Sequence, residues 1–139
     1  MKYNYFRRGM GVLICGSPIW LAVVSGVMSN GHSRQIGNGG IILFSLAGLI
    51  ALLNMHLLCV RPWLYRRKHK SMEGYHSKSG IPMWGTFFVL LGIIGGFQSL
   101  LSAIIGLVIT IFDCGGLPWF LVFTWKQEAL WDDKNMRMF

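Results

Sequence analysis

Charge is what this sequence has least of. Asp and Glu together number five in 139 residues, and charged residues of both signs make up 13%, against about 25% in an ordinary soluble domain. That scarcity excludes chemistry. No two carboxylates share an apolar face, so general acid–base pairs have no candidates. No Ser/His/Asp or Cys/His set has supporting neighbours, and no phosphate-binding glycine loop is present. The cysteines are few and far apart. Cys15, Cys59 and Cys114 lie in or beside apolar runs, none belongs to a Cys-x-x-Cys motif, and three cannot all pair. They read as small buried hydrophobes. His56 lacks a second ligand at helical spacing, which leaves no metal site. The residues therefore name no catalytic group, no cofactor-binding group and no metal ligand, and the expectation is a protein that is not an enzyme. No internal repeat is strong enough to suggest inverted halves.

Long apolar stretches are what is present. Hydrophobic residues make up 53% and the mean hydropathy is +0.50. From Ile81 to Trp125 the only strongly polar side chains are Gln98 and Asp113. A single helix of that length would reach about 67 Å, whereas the hydrocarbon core of a bilayer is about 30 Å thick. The stretch is too long for one crossing and suits two. Gly9 to Met28 runs 20 residues without a charge behind Lys2, Arg7 and Arg8. Its length and poor cleavage site favour an uncleaved first span over a signal peptide, and Pro18 in its middle predicts a kink. Residues 40–60 form another apolar run. The predicted fold class is all-α. One transmembrane domain covers residues 1–139, a helical bundle of about four spans at about 9–28, 40–60, 82–101 and 102–125.

Net charge is +8, and its placement decides its meaning. The cations sit in short segments between apolar runs, so orientation in the membrane and contact with anionic lipid head groups explain them better than nucleic acid. Residues 61–80 carry Arg61, Arg66, Arg67, Lys68, Lys70 and Lys78 against one acid, Glu73. By the positive-inside rule this loop is cytoplasmic. The basic amino terminus, two spans away, falls on the same side, and Arg34 falls outside. Trp63 and Tyr65 read as an interfacial anchor.

Small residues at helical spacing predict close helix packing. They include Gly92 with Gly96, Ser99 with Ala103, and Ser102 with Gly106, which would serve within the monomer or between copies. Asn54 and His56 read as partners for neighbouring helices or for interfacial water. The most informative stretch is Asp113-Cys114-Gly115-Gly116-Leu117-Pro118, because two glycines and a proline in six residues cannot form an undisturbed helix. One reading is a last helix broken near Asp113–Pro118, with Asp113 capping the half-helix that starts near Leu117. Another ends the fourth span near Phe112 and lays Trp119 to Trp131 along the cytoplasmic interface. In both, the carboxy terminus is cytoplasmic. Asp113, Gly115, Gly116 and Pro118 are thus the candidate polar site.

One resemblance adds to this. Ser79-Gly80-Ile81-Pro82, Gly85-Thr86, about 25 apolar residues, then Asp113 and Gly115-Gly116-Leu117-Pro118-Trp119 looks like a pattern in small polytopic proteins of the bacterial inner membrane. Some of these resemble the immunity partners of antibacterial toxins, including those of Rhs and type VI secretion systems. The resemblance covers roughly residues 79–125 and its motif is structural. It implies a binding protein that neutralises a membrane-inserting toxin. Two other classes stand beside it. One is a small transporter or channel subunit with Asp113, Gln98 and His56 along a polar path. The other is an accessory subunit of a larger membrane complex. Transport predicts several convergent polar groups, and this chain offers few.

Overall fold

The computed structural model describes residues 5–30, 35–70, 73, 80–81 and 83–127. Lys2, Arg34, Lys78, Ser79, Pro82 and the tail from residue 128 onward lie outside the described residues, and so do the expectations that rest on them. Among the described residues the regular elements are all helical.

The chain begins with α1 (Tyr5–Cys15) and α2 (Ser17–Met28), bent by 57° at Gly16. Pro18 lies in the first turn of α2, where its missing N–H costs nothing but its ring cannot follow an intact preceding turn. Gly16 fits the corner because a Cβ there would stand 2.6 Å from both the Val12 carbonyl oxygen and the Trp20 indole nitrogen.

The longest element runs from Asn38 to His69 without a break. It comprises α3 (Asn38–Met55), a π-helical turn (His56–Val60) and α4 (Arg61–His69). Pro62 offers no donor to the turn before it. The Arg61 N–H instead reaches the His56 carbonyl five residues back, and this widened ring carries the helix past the proline. At about 1.5 Å per residue the 32 residues measure about 48 Å. The basic segment expected as a loop from residue 61 is therefore helical through His69. Its cations crowd the last turn, where they complement the helix dipole. Lys70 closes it in the left-handed conformation (φ 54°), its N–H bonded to the Arg66 carbonyl. Tyr65 stacks on His69 and Arg67 lies over Trp63, both one turn apart.

Three shorter helices follow: α5 (Trp84–Gly95), α6 (Leu100–Phe112) and α7 (Leu117–Thr124). The expected boundary between third and fourth spans, at residues 101 and 102, lies instead in the turn at residues 96–99. Gln98 (φ 63°) makes that turn, its N–H donating to Ser25 Oγ, and Ser99 caps α6 by accepting from the Ser102 N–H. α6 and α7 are bent by 41° across Asp113 to Gly116. By length and composition, α3–α4 alone is long and apolar enough to cross a membrane, and each bent pair is so if taken as one span. With 12 residues, α5 is shorter.

α3 packs on α5 and α2 on α6, with α5 and α6 side by side between them, while α1 packs on α7. Ala22, Phe44, Ala47, Val89 and Ile93 meet at the centre. The small residues set the spacing. Gly92 admits the Phe44 ring, Gly106 admits Ile93 and Val89, and Gly26 lies against Ala103. Gly96, expected on the same packing stripe as Gly92, is instead in the turn after α5, against the Ser102 hydroxyl. Polarity is inverted relative to a water-soluble domain. Ser25, Asn54, Thr86, Ser102 and Asp113 are buried, while Val27, Ile42, Leu49, Ile111 and Phe123 are more than half exposed.

Candidate functional site

Asn54, on the last turn of α3, is completely buried. Its carboxamide reads the backbone of Ile81 in both directions. Oδ1 accepts from the Ile81 N–H at 2.8 Å, and Nδ2 donates to the Ile81 carbonyl at 3.1 Å. The same Nδ2 donates to Asp113 Oδ1 at 2.7 Å. One side chain thus ties together the approach to α5 and the break between α6 and α7.

Glycines make this contact sterically feasible. A Cβ on Gly80 would stand 2.6 Å from Asn54 Oδ1, and one on Gly115 would stand 2.6 Å from Nδ2. The amide plane is held between two backbones that carry no side chain. A Cβ on Gly85 would overlap Asp113 Oδ2, and one on Gly116 would crowd both that oxygen and Thr86 Oγ1. Met83 adopts φ 68° to start α5, and its N–H reaches the Gly115 carbonyl.

Asp113 is 1% exposed. Asn54 holds Oδ1, and the Gly115 amide also faces the carboxylate. Oδ2 lies against Gly85 and Gly116 and has no hydrogen-bond partner among the described residues. A buried carboxylate is costly unless it is paired or bonded; here Oδ1 is held by a hydrogen bond and Oδ2 by close packing. The main chain around it is satisfied locally. The Gly116 N–H returns to the Asp113 carbonyl, and Trp119 Nε1 donates to the Ile111 carbonyl left free at the end of α6.

The expectation that Asp113 caps the second half-helix is replaced by a different arrangement. α7 starts after Gly116 without a side-chain cap from its own segment, and Thr86 of α5 accepts from the Leu117 N–H at 3.1 Å. Pro118 occupies the first turn of α7. Local sequence could not show this, because the capping oxygen arrives from 31 residues away.

The remaining expected residues are distributed as follows. Asp113, Gly115 and Gly116 are at the site, and Gly92, Ala103, Ser102 and Gly106 are buried among helices. Ser99 is a helix cap. Arg61, Arg66, Arg67, Lys68 and Lys70 are exposed on α4 and its end. Gln98 and Asp113 flank opposite ends of α6, whose 13 residues span about 20 Å, and His56 is exposed. The three groups of the polar-path reading therefore do not converge. Sequence reasoning missed the partnership of Asn54, Gly80, Gly85 and Thr86 with the helix break. The signal was available, since glycine-rich polar stretches bound both ends of one apolar block. It also missed the approach of Cys59 to Cys114, whose sulfurs lie 3.6 Å apart. No protein-family model matches this chain, and neither a curated protein nor a solved structure matches it.

Proposed function

We propose that this chain is a multi-pass protein of the bacterial inner membrane, crossing four times with both tails in the cytoplasm, and that it acts by binding. Its role in this reading is immunity: it neutralises a membrane-acting toxin through helix contacts within the bilayer. The membrane part is supported by the inverted polarity of the bundle, with large aliphatic side chains outside and hydroxyls, an amide and a carboxylate inside. At about 18 Å, α5 is short for a crossing. Local thinning of the bilayer, together with the non-helical residues at its two ends, supplies the rest.

The observation that carries a binding role is how the interior polar groups are used. Asn54 is bonded to Ile81 and Asp113, Thr86 to Leu117, Thr110 to the Gly106 carbonyl and Thr124 to the Phe120 carbonyl. The Asn54 and Thr86 bonds join separate segments, the two threonine bonds return to the carbonyl one turn back in the same helix, and the surface offered to other molecules is apolar and grooved. In this reading the partner is a protein that inserts into the same bilayer, and toxin immunity is the role that the Ser79–Trp119 pattern suggests. The test is genetic. Deleting the gene is expected to kill cells only when a neighbouring toxin gene is intact. Growth loss without any toxin, or survival beside an active one, overturns the proposal.

A transport reading has one observation in its favour, the unpartnered Oδ2 of buried Asp113. Proteoliposomes separate the two. Asp113→Asn leaves no flux to lose if Asp113 is a latch, and abolishes a measurable flux if it lines a path.

A further inference from the structure

We propose that Cys59 and Cys114 form a dithiol site that closes to an intramolecular disulfide, stapling the π-helical turn after α3 to the break before α7. The two thiols come from positions 55 residues apart, and their sulfurs stand 3.6 Å from each other in hydrogen-bonding contact. Cys59 is exposed and Cys114 half-buried, and the exposed Arg61 two residues on marks the polar end of α3, where a small oxidant reaches the pair, whereas Cys15 is buried at the end of α1. A disulfide needs the sulfurs at about 2.05 Å, an approach of about 1.5 Å from their present separation. Both backbones are suited to give it. Cys59 sits in a widened helical turn, and Cys114 sits in a non-helical turn.

Position gives the pair its meaning. Cys59 follows Asn54 by five residues on one continuous helix, and Cys114 is the neighbour of Asp113. The bond would run beside the Asn54–Asp113 hydrogen bond and fix the same two segments covalently. The break from which α7 departs would lose its freedom to shift against α3.

The oxidant is a low-molecular-weight disulfide of the glutathione class. The Cys59 thiolate attacks one of its sulfurs, forming a mixed disulfide and releasing one small thiolate, which takes up a proton. The Cys114 thiolate then attacks the Cys59 sulfur, forming the internal bond and releasing the second small thiol. Two cysteine sulfurs are oxidised, one small disulfide is reduced to two thiols, and the protons leave with them. The resting state rests on the cytoplasmic placement proposed above: two residues before Arg61, the pair faces a reducing compartment and stays a dithiol there. The pairing itself does not depend on that placement.

The experiment treats the purified full-length protein, in detergent micelles, with oxidised glutathione, then alkylates remaining thiols and maps the peptides by mass spectrometry. The expected product is a monomer joined Cys59 to Cys114 with Cys15 alkylated. Cys15→Ser keeps this product, and Cys59→Ser or Cys114→Ser each stop at the mixed disulfide. The joined form is expected to melt at least about 5 °C higher. Separate mixed disulfides on Cys59 and Cys114 of the unmutated protein, or bonds between molecules, overturn the proposal. In cells, a permeant alkylating reagent is expected to find both thiols reduced before oxidant is added. A bond already present there overturns the resting dithiol and the cytoplasmic placement, while the micelle result alone judges the pairing.

Discussion

Asn54 and Asp113 form a buried polar pair that ties α3 to the break between α6 and α7. In the membrane placement proposed above, where lipid chains are as apolar as leucine, helix association draws on close packing and on hydrogen bonds of this kind. Asn54 makes three bonds from one amide, and each reaches a different segment or atom of the site. Asn54→Leu is expected to lower stability in detergent by about 1–3 kcal/mol, because it leaves Asp113 buried without its side-chain donor. Asp113→Asn keeps an acceptor and is expected to cost less. In a cycle with Asp113→Leu, the double variant is expected to lose less than the two single losses combined. Additive losses in thermal unfolding would refute the latch. The glycines allow a sharper comparison. Gly85→Ala drives a methyl into the Asp113 carboxylate and is expected to cost at least about 1 kcal/mol. Gly48→Ala, with nothing within 4 Å of the new methyl, is expected to change stability by no more than about 0.5 kcal/mol.

Two of the elements are broken, and the breaks are built differently. The α1–α2 corner is local: Pro18 ends the turn behind it and Gly16 makes room. The α6–α7 corner is tertiary: its carboxylate is held by α3, its cap comes from α5, and its glycines are occupied by the side chains of both. Gly16→Ala is expected to open the first corner and move α1 away from α7. Spin labels at Gly9 and Val122 would report this as a lengthened distance, with α2 and α6 unmoved. Gly106→Leu tests the packing between elements. Its side chain has no space against Ile93 and Val89, so α5 and α6 must separate at an expected cost of about 1–3 kcal/mol, read as a lower melting temperature. An unchanged midpoint would show that the two helices do not depend on that approach.

At the scale of the whole molecule, the question is which way the bundle faces. The long helix carries its cations on one end, exposed on α4 beyond the apolar part of α3. Cysteines introduced at Arg34 and Lys70, in a chain without its native cysteines, are expected to react with an impermeant reagent from opposite sides of the membrane. In the proposed membrane placement, replacing Arg61, Arg66, Arg67, Lys68 and Lys70 by Gln is expected to leave the fold intact and to mix the two orientations, since cationic flanks bias the direction of insertion. A uniform orientation after that change would assign the role to the amino-terminal cations instead.

What the sequence determined alone is the helical class and the punctuation. Long apolar runs almost free of charge favour helices, whose backbone hydrogen bonds are satisfied within each segment. Pro18 and the Asp113–Pro118 stretch dictate where helices break. Both are one-dimensional facts, carried by composition and by residues whose backbone preferences hold in any surroundings. Tertiary structure decided which breaks meet which helices. That Asn54 serves Ile81 and Asp113 together, that Thr86 caps a helix 31 residues further on, and that Cys59 finds Cys114 all follow from α3 packing on α5 with the α6–α7 corner beside them. Contacts of that kind join residues far apart in the chain through side chains of ordinary spacing, so no local pattern records them. The basic segment was half legible for a local reason. Its charge was legible, but its continuation as helix through Pro62 was not, because it rests on a π turn closed by the Arg61 N–H on the His56 carbonyl.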